Sequence, residues 1–196
     1  NDNMNSFSTS IFGGDDRNIF PWTTRSSKII YDVSKLAQWE IVFDHAEKMG
    51  LVAHLKLAEA ENHKEDNMVA GTDKLAIYYR EMIARFGHHL ALNWNMGEEN
   101  GIWGNHVRGY QSTPQRLAMA HYFYDHDPYH HPIVIHNGQS FDDLLGPESR
   151  YTGISYQTNL EDFSEVHNEA LKWIIKSREA GKPWVVAVDE PGDHRH

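Results

Sequence analysis

Short strand-like runs alternate with helix-period segments along this chain, in an order that leaves few folds open. Residues 51–58, 90–96, 132–136, 151–157 and 184–188 are runs rich in Val, Ile, Leu and aromatic residues, and residues 4–10 alternate as a strand does. Between them lie segments with apolar residues at three- and four-residue steps. Leu36, Trp39, Phe43 and Ala46 form the first stripe. Leu75, Tyr78, Met82, Ile83 and Phe86 form the second, and Phe163, Val166, Ala170, Trp173 and Ile174 the last. Asp32 or Ser34 can cap the first helix, and Gly50, Gly87 and Gly181 stand where helices end. Thr113 followed by Pro114 predicts another helix start, running to about Asp125. Residues 15–31, 60–73 and 101–112 read as loops. The order is strand, helix, strand, helix, strand, helix, strand, loop, strand, helix, strand. That pattern means parallel strands joined by crossover helices.

Polar residues gather after the strands: Glu59 and Glu61, Glu98 and Glu99, His136 and Asn137, Gln157, Asp189 and Glu190. Chemistry at the C-terminal ends of parallel strands suits a (β/α) barrel or an open doubly wound sheet. No glycine-rich phosphate loop follows any strand, which counts against the nucleotide-binding sheet. The most informative run is residues 90–100. Leu90, Leu92, Trp94 and Met96 share one face, whereas Asn93, Asn95, Gly97 and Glu99 share the other. Amides and a carboxylate on a buried face cost free energy unless they are paired or line a polar cleft.

Composition narrows the partners. A formal charge of −10 argues against nucleic acid, which needs clustered Lys and Arg. No apolar run is long enough to span a bilayer, so no membrane partner is expected. The absence of Cys excludes disulfides and thiolate chemistry. The chain begins with Asn, so its compartment cannot be read from the N-terminus. Six Trp and nine Tyr, among scattered amides and carboxylates, suit sugar rings and hydroxyls. Trp22, Trp103 and Tyr110 are stacking candidates on loops, with loop packing as the alternative. The turn containing His126, His130 and His131 matches no metal-ligand spacing, so no metal and no cofactor are expected.

The stretches YDVSKLAQWEIVFDHAEKMGL, YYREMIARFGHHLALNWNMGEEN, QRLAMAHYFYDHDPYHHPIVIHN and SREAGKPWVVAVDEPG resemble the (β/α)8 glycoside-hydrolase-like proteins associated with a collagen-binding domain. More broadly they resemble the clan A retaining glycosidases. The resemblance implies an α/β fold, a parallel barrel of TIM type, here incomplete and holding strands two to seven. It implies a single domain over residues 1–196, as a fragment of a longer protein, and a secreted or periplasmic location. It also implies an acid/base after strand four and a nucleophile after strand seven. Those places fall on Glu99 and Glu190, with Glu98 where the clan usually has a helper Asn. Asn95, His136, Gln157, Glu59 and Glu61 are then expected to bind substrate, with Glu98, Trp103 and Trp22. The expected activity is retaining hydrolysis of a poly- or oligosaccharide. The rivals are a non-catalytic carbohydrate-binding remnant and a metal-dependent hydrolase. Six strands leave two open edges, so a second copy or a further chain segment is expected to cover them.

Overall fold

The computed structural model describes residues 5–13, 19–65, 67–103, 106–107, 111–158 and 163–190. Six parallel strand positions follow one another in chain order. They are β1 (Ser6–Ser10), β2 (Val52–Lys56), β3 (Leu92–Asn95), the broken strand β6 (Ile133–Val134) with β7 (His136–Asn137), β8 (Gly153–Gln157) and β9 (Val185–Glu190). β6 pairs with β3 and β7 with β8, so the broken strand joins the two parts of the sheet. A short antiparallel hairpin, β4 (Ile102–Trp103) and β5 (His106–Val107), occupies part of the stretch read as a loop.

The outward face of the sheet is apolar. Ala53, Leu55, Leu92, Trp94, Met96, Ile133, Ile135 and Ile154 are all nearly or fully buried. Helices cover it. α1 (Val33–Lys48) starts at Asp32, whose carboxylate accepts from the Ser34 and Lys35 amides. α3 (Asp73–Phe86) buries Leu75, Tyr78, Tyr79, Met82, Ile83 and Phe86, and Tyr78 donates its hydroxyl to the Leu57 carbonyl at 2.6 Å. α4 (Thr113–His126) begins one residue earlier than the sequence suggests. Ser112 is its N-cap, and Gln115 Oε1 accepts from the Ser112 amide at 2.9 Å. α5 (Val166–Glu179) starts later than expected, and residues 159–162 lie outside the described residues.

One expected loop is ordered otherwise. Ala60–Glu65 form a short helix, α2, whose start is fixed by Asn62 Oδ1 accepting from the Glu59 amide. Asn62 and His63 are fully buried there, with His63 Nδ1 donating to the Met68 carbonyl at 2.8 Å and the Gln111 amide packed against the ring. Polar residues read as solvated loop are thus consumed by internal hydrogen bonds.

The sheet is strongly curved. β2 and β9 stand four strands apart, about 19 Å along a flat sheet. Yet Lys56 Nζ on β2 lies 3.7 Å from Glu190 Oε1 on β9. Only a sheet curling toward closure brings them together, so the architecture is a parallel (β/α) barrel of TIM type, incomplete among the described residues.

Candidate active site

The inward face of the curved sheet is polar where the outward face is apolar. Strand register places Ser8 beside His54, Ser10 beside Lys56, and Lys56 beside Asn95. Further round, His136 lies beside Ser155, and Gln157 beside Glu190 across a register shift. At the C-terminal mouth of these strands three groups converge. Glu98, His136 and Glu190 each offer one donor atom, and the three atoms lie within 4.8 Å of one another. His136 Nε2 is 3.9 Å from Glu98 Oε1 and 3.8 Å from Glu190 Oε1.

Asp189 and Ser155 hold the imidazole from behind. His136 Nδ1 lies 3.1 Å from Asp189 Oδ1, and Ser155 Oγ donates to Asp189 Oδ2 at 2.5 Å. Burial alone would lower the His136 pKa, but the hydrogen bond to and charge of Asp189 raise it above the usual histidine value. Burial would likewise raise Asp189, and the His136 and Ser155 hydrogen bonds bring it instead to about 2. With Nδ1–H given to Asp189, the buried Nε2 has no hydrogen-bond partner and faces both glutamates.

Burial pushes the Glu98 carboxyl up to about 8, with smaller opposing effects from nearby His136 and Glu99. It therefore holds its proton through neutral pH. Glu190 is more open, at 41 % side-chain exposure, with Lys56 as its charge partner. One protonated and one accessible carboxyl side by side can donate a proton and attack a carbon. With His136, the same atoms are also a donor set for a divalent cation.

The expected partner of Glu190 was Glu99, and the cluster contains Glu98 instead. Strand alternation put Asn95, Gly97 and Glu99 on one face, but it ends with β3 at Asn95. Gly97 has φ 143° and Glu99 φ 46°, so the chain turns there. The Glu98 amide donates to the Ala58 carbonyl at 2.9 Å, fixing that residue over the mouth.

Asn95 is not open to a ligand. It is fully buried, its amide donates to His54 Nε2 at 2.8 Å, and its Oδ1 accepts from the Gly97 amide at 3.1 Å. It supports the turn that presents Glu98. Trp22 is also buried completely, edge-on to Phe12 with ring centroids 4.7 Å apart, so it packs the core and cannot stack on a sugar. Its segment folds under Tyr31 through an isolated bridge. Gln157 is half-buried with its Oε1 unpartnered, and Glu59 and Glu61 are half-buried on the segment after β2 that adjoins Glu98. Trp103 lies in β4, but its side chain, like all of Tyr110, falls outside the described residues. Asp189, Ser155, Lys56 and His54 are the site residues that the sequence did not single out for roles. Their common signal is period-two placement on the inward face. Burial lowers the pKa of His54 to about 4, leaving it neutral beside Asn95.

No protein-family model matches the chain, and no curated protein matches it. Among solved structures it is similar to a glycoside hydrolase at 15 % identity and TM-score 0.68, over 96 % of this chain and 45 % of that one. It is similar to a family 5 glycoside hydrolase from Bacteroides vulgatus ATCC 8482 at 13 % identity and TM-score 0.59, over 80 % and 34 % of the two chains. A third likeness is to a family 5 xyloglucan-specific endo-beta-1,4-glucanase from a metagenomic library, at 15 % identity and TM-score 0.54. That match covers 81 % of this chain and 58 % of the other. The chain therefore spans between about a third and three fifths of these neighbours. No family model supports the narrower family with its collagen-binding association. What the likenesses show is the fold: this chain has the barrel architecture of glycoside hydrolases, over part of the ring.

Proposed function

We propose that this chain carries the catalytic carboxyls of a glycoside hydrolase that cleaves a poly- or oligosaccharide with retention of configuration. The observation behind the reading is the juxtaposition of Glu98, protonated up to about pH 8, with the accessible Glu190, their donor atoms within 4.8 Å. Retaining enzymes hold their carboxyl groups about 5–5.5 Å apart, and inverting ones about 6.5–9.5 Å to admit water. The short separation therefore favours retention.

In this mechanism Glu190 attacks the anomeric carbon while Glu98 protonates the departing oxygen. A glycosyl ester forms on Glu190 as the glycosidic bond breaks. Glu98, now ionised, takes a proton from water, which displaces Glu190 and restores both groups. His136 supplies a Nε2–H between the carboxyls, poised toward the sugar or the charge that develops on it.

A 2-deoxy-2-fluoro glycoside with an activated leaving group should leave a covalent adduct, and peptide mass spectrometry should find it on Glu190. Glu190→Gly should lose activity that azide restores with an inverted product. Glu98→Ala should keep turnover on acidic leaving groups and give a retained azide product. If Glu99→Ala shows that behaviour and Glu98→Ala does not, the acid/base is Glu99. If no sugar in a broad panel labels the protein, the non-catalytic carbohydrate-binding reading replaces this one.

A further inference from the structure

The second cluster of ligating side chains lies at the opposite end of the sheet from the carboxyl mouth. Glu40 and Asp44 stand one helical turn apart on α1, and His88 and His89 form the turn that leads into β3. Each of the four offers a donor atom, and all four atoms lie within 4.8 Å of one another. His88 Nε2 is 2.9 Å from Glu40 Oε1, and His89 Nε2 is 3.4 Å from Glu40 Oε2.

His89 is the residue that makes this more than a group of surface charges. It is 2 % exposed, held edge-on against Phe43, and its Nε2 makes no hydrogen bond although it points into the cluster. Its other nitrogen is already committed. Glu47, one turn beyond Asp44, lies with Oε2 3.2 Å from His89 Nδ1 and accepts from the Leu90 amide through Oε1 at 3.1 Å. A ring that gives Nδ1–H to a carboxylate presents Nε2 outward, which is how ligating histidines are oriented. Here that nitrogen faces carboxylate oxygens, an arrangement that calls for a positive charge between them.

We propose that Glu40, Asp44, His88 and His89 bind a divalent cation of the zinc type, with Glu47 orienting His89. Two imidazoles and two carboxylates make a tetrahedral nitrogen and oxygen set. The ion would pin α1 to the turn before β3. The barrel end opposite the catalytic loops is where such a tie serves stability. The His-rich turn at 126–131 is not involved: His131 Nδ1 is taken by Asp127 at 2.7 Å.

The test uses the untagged full chain, stripped of metal by chelation and titrated with Co2+. One equivalent should give the strong visible absorption of tetrahedral cobalt, and Zn2+ should abolish it by competition. His88→Ala and Asp44→Asn, both exposed side chains whose loss leaves the core intact, should each weaken binding at least about tenfold. Glu47→Gln should weaken it about 10–100-fold, as loss of an orienting carboxylate does. Glu98→Gln with Glu190→Gln, which removes both carboxylates from the three-residue group at the mouth, should leave the band unchanged. Zn2+ should also raise the melting temperature of the parent chain more than that of His88→Ala. No tetrahedral band would overturn the proposal and leave an ion-pair network. So would a band indifferent to His88→Ala and Asp44→Asn, or one lost with the mouth variants.

Discussion

Among the described carboxyls, Glu98 is one whose burial outweighs the attraction of its cationic neighbours His136 and Lys56. His136 Nε2 stands 3.9 Å away, and Glu99 and Glu190 act against ionisation. This has a consequence for stability. In the unfolded chain a glutamate ionises near 4.5, and in the folded chain Glu98 keeps its proton to about 8. Between those values the folded state holds a proton that the unfolded state has released. Stability therefore falls as pH rises through that window, by on the order of 1 kcal/mol per pH unit at most. Glu98→Gln mimics the protonated form and removes the penalty. Its melting temperature should exceed that of the parent chain at pH 8, and the two should converge near pH 4. A difference that stays constant with pH would mean that Glu98 ionises normally.

At the scale of elements, the turn after β3 decides the site. Asn95 closes the strand, Gly97 departs from it at φ 143°, and the Glu98 amide docks on the segment after β2. A Cβ at Gly97 would sit 2.9 Å from Asn100 Cβ and 3.0 Å from His63 Nε2, both parts of fully buried side chains. Gly97→Ala should cost about 1–3 kcal/mol through the backbone conformation and displace Glu98. Denaturant unfolding reads the first effect. A falling kcat on the best substrate, at little change in KM, reads the second. β3, α1 and α3 were legible from the periodicity of their apolar residues, and α4 from Thr113 followed by Pro114, one residue past its true N-cap at Ser112. α2 was not. Its Asn62 and His63 are polar, and they are buried against Gln111 and the carbonyl of Gly13, both distant in the chain.

At the scale of the molecule, β1 and β9 each pair with one strand among the described residues, which leaves an open edge on either side. The flanking helices carry exposed apolar residues, Ile41 and Val42 on α1 and Leu171 and Ile175 on α5. Unpaired strand edges beside apolar helix faces favour association. Light scattering on the purified chain should therefore show a species heavier than 22.6 kDa. A stable monomer at high concentration would count against covered edges. No helix among the described residues is long and apolar enough to cross a membrane.

The sequence by itself determined the order of the parallel strands and of the long helices α1, α3, α4 and α5, and, for residues 90–96, which face is apolar. It also marked the sheet end that carries the polar residues. These are local properties, because a two-residue or 3.6-residue repeat follows from backbone geometry wherever the element persists. It set Glu99 opposite Glu190, whereas the residue gathered with Glu190 and His136 is Glu98. Only the tertiary structure brings Glu98 into the cluster, since a glycine with positive φ ends the alternation that sequence reasoning extends. Burial of Trp22 depends on Phe12 and Tyr78 arriving from other segments, and Asn95 is consumed by His54 on the adjacent strand. The meeting of Lys56 with Glu190, and of His89 with Glu40, depends on curvature and on helix packing. No repeat within a single element carries that information.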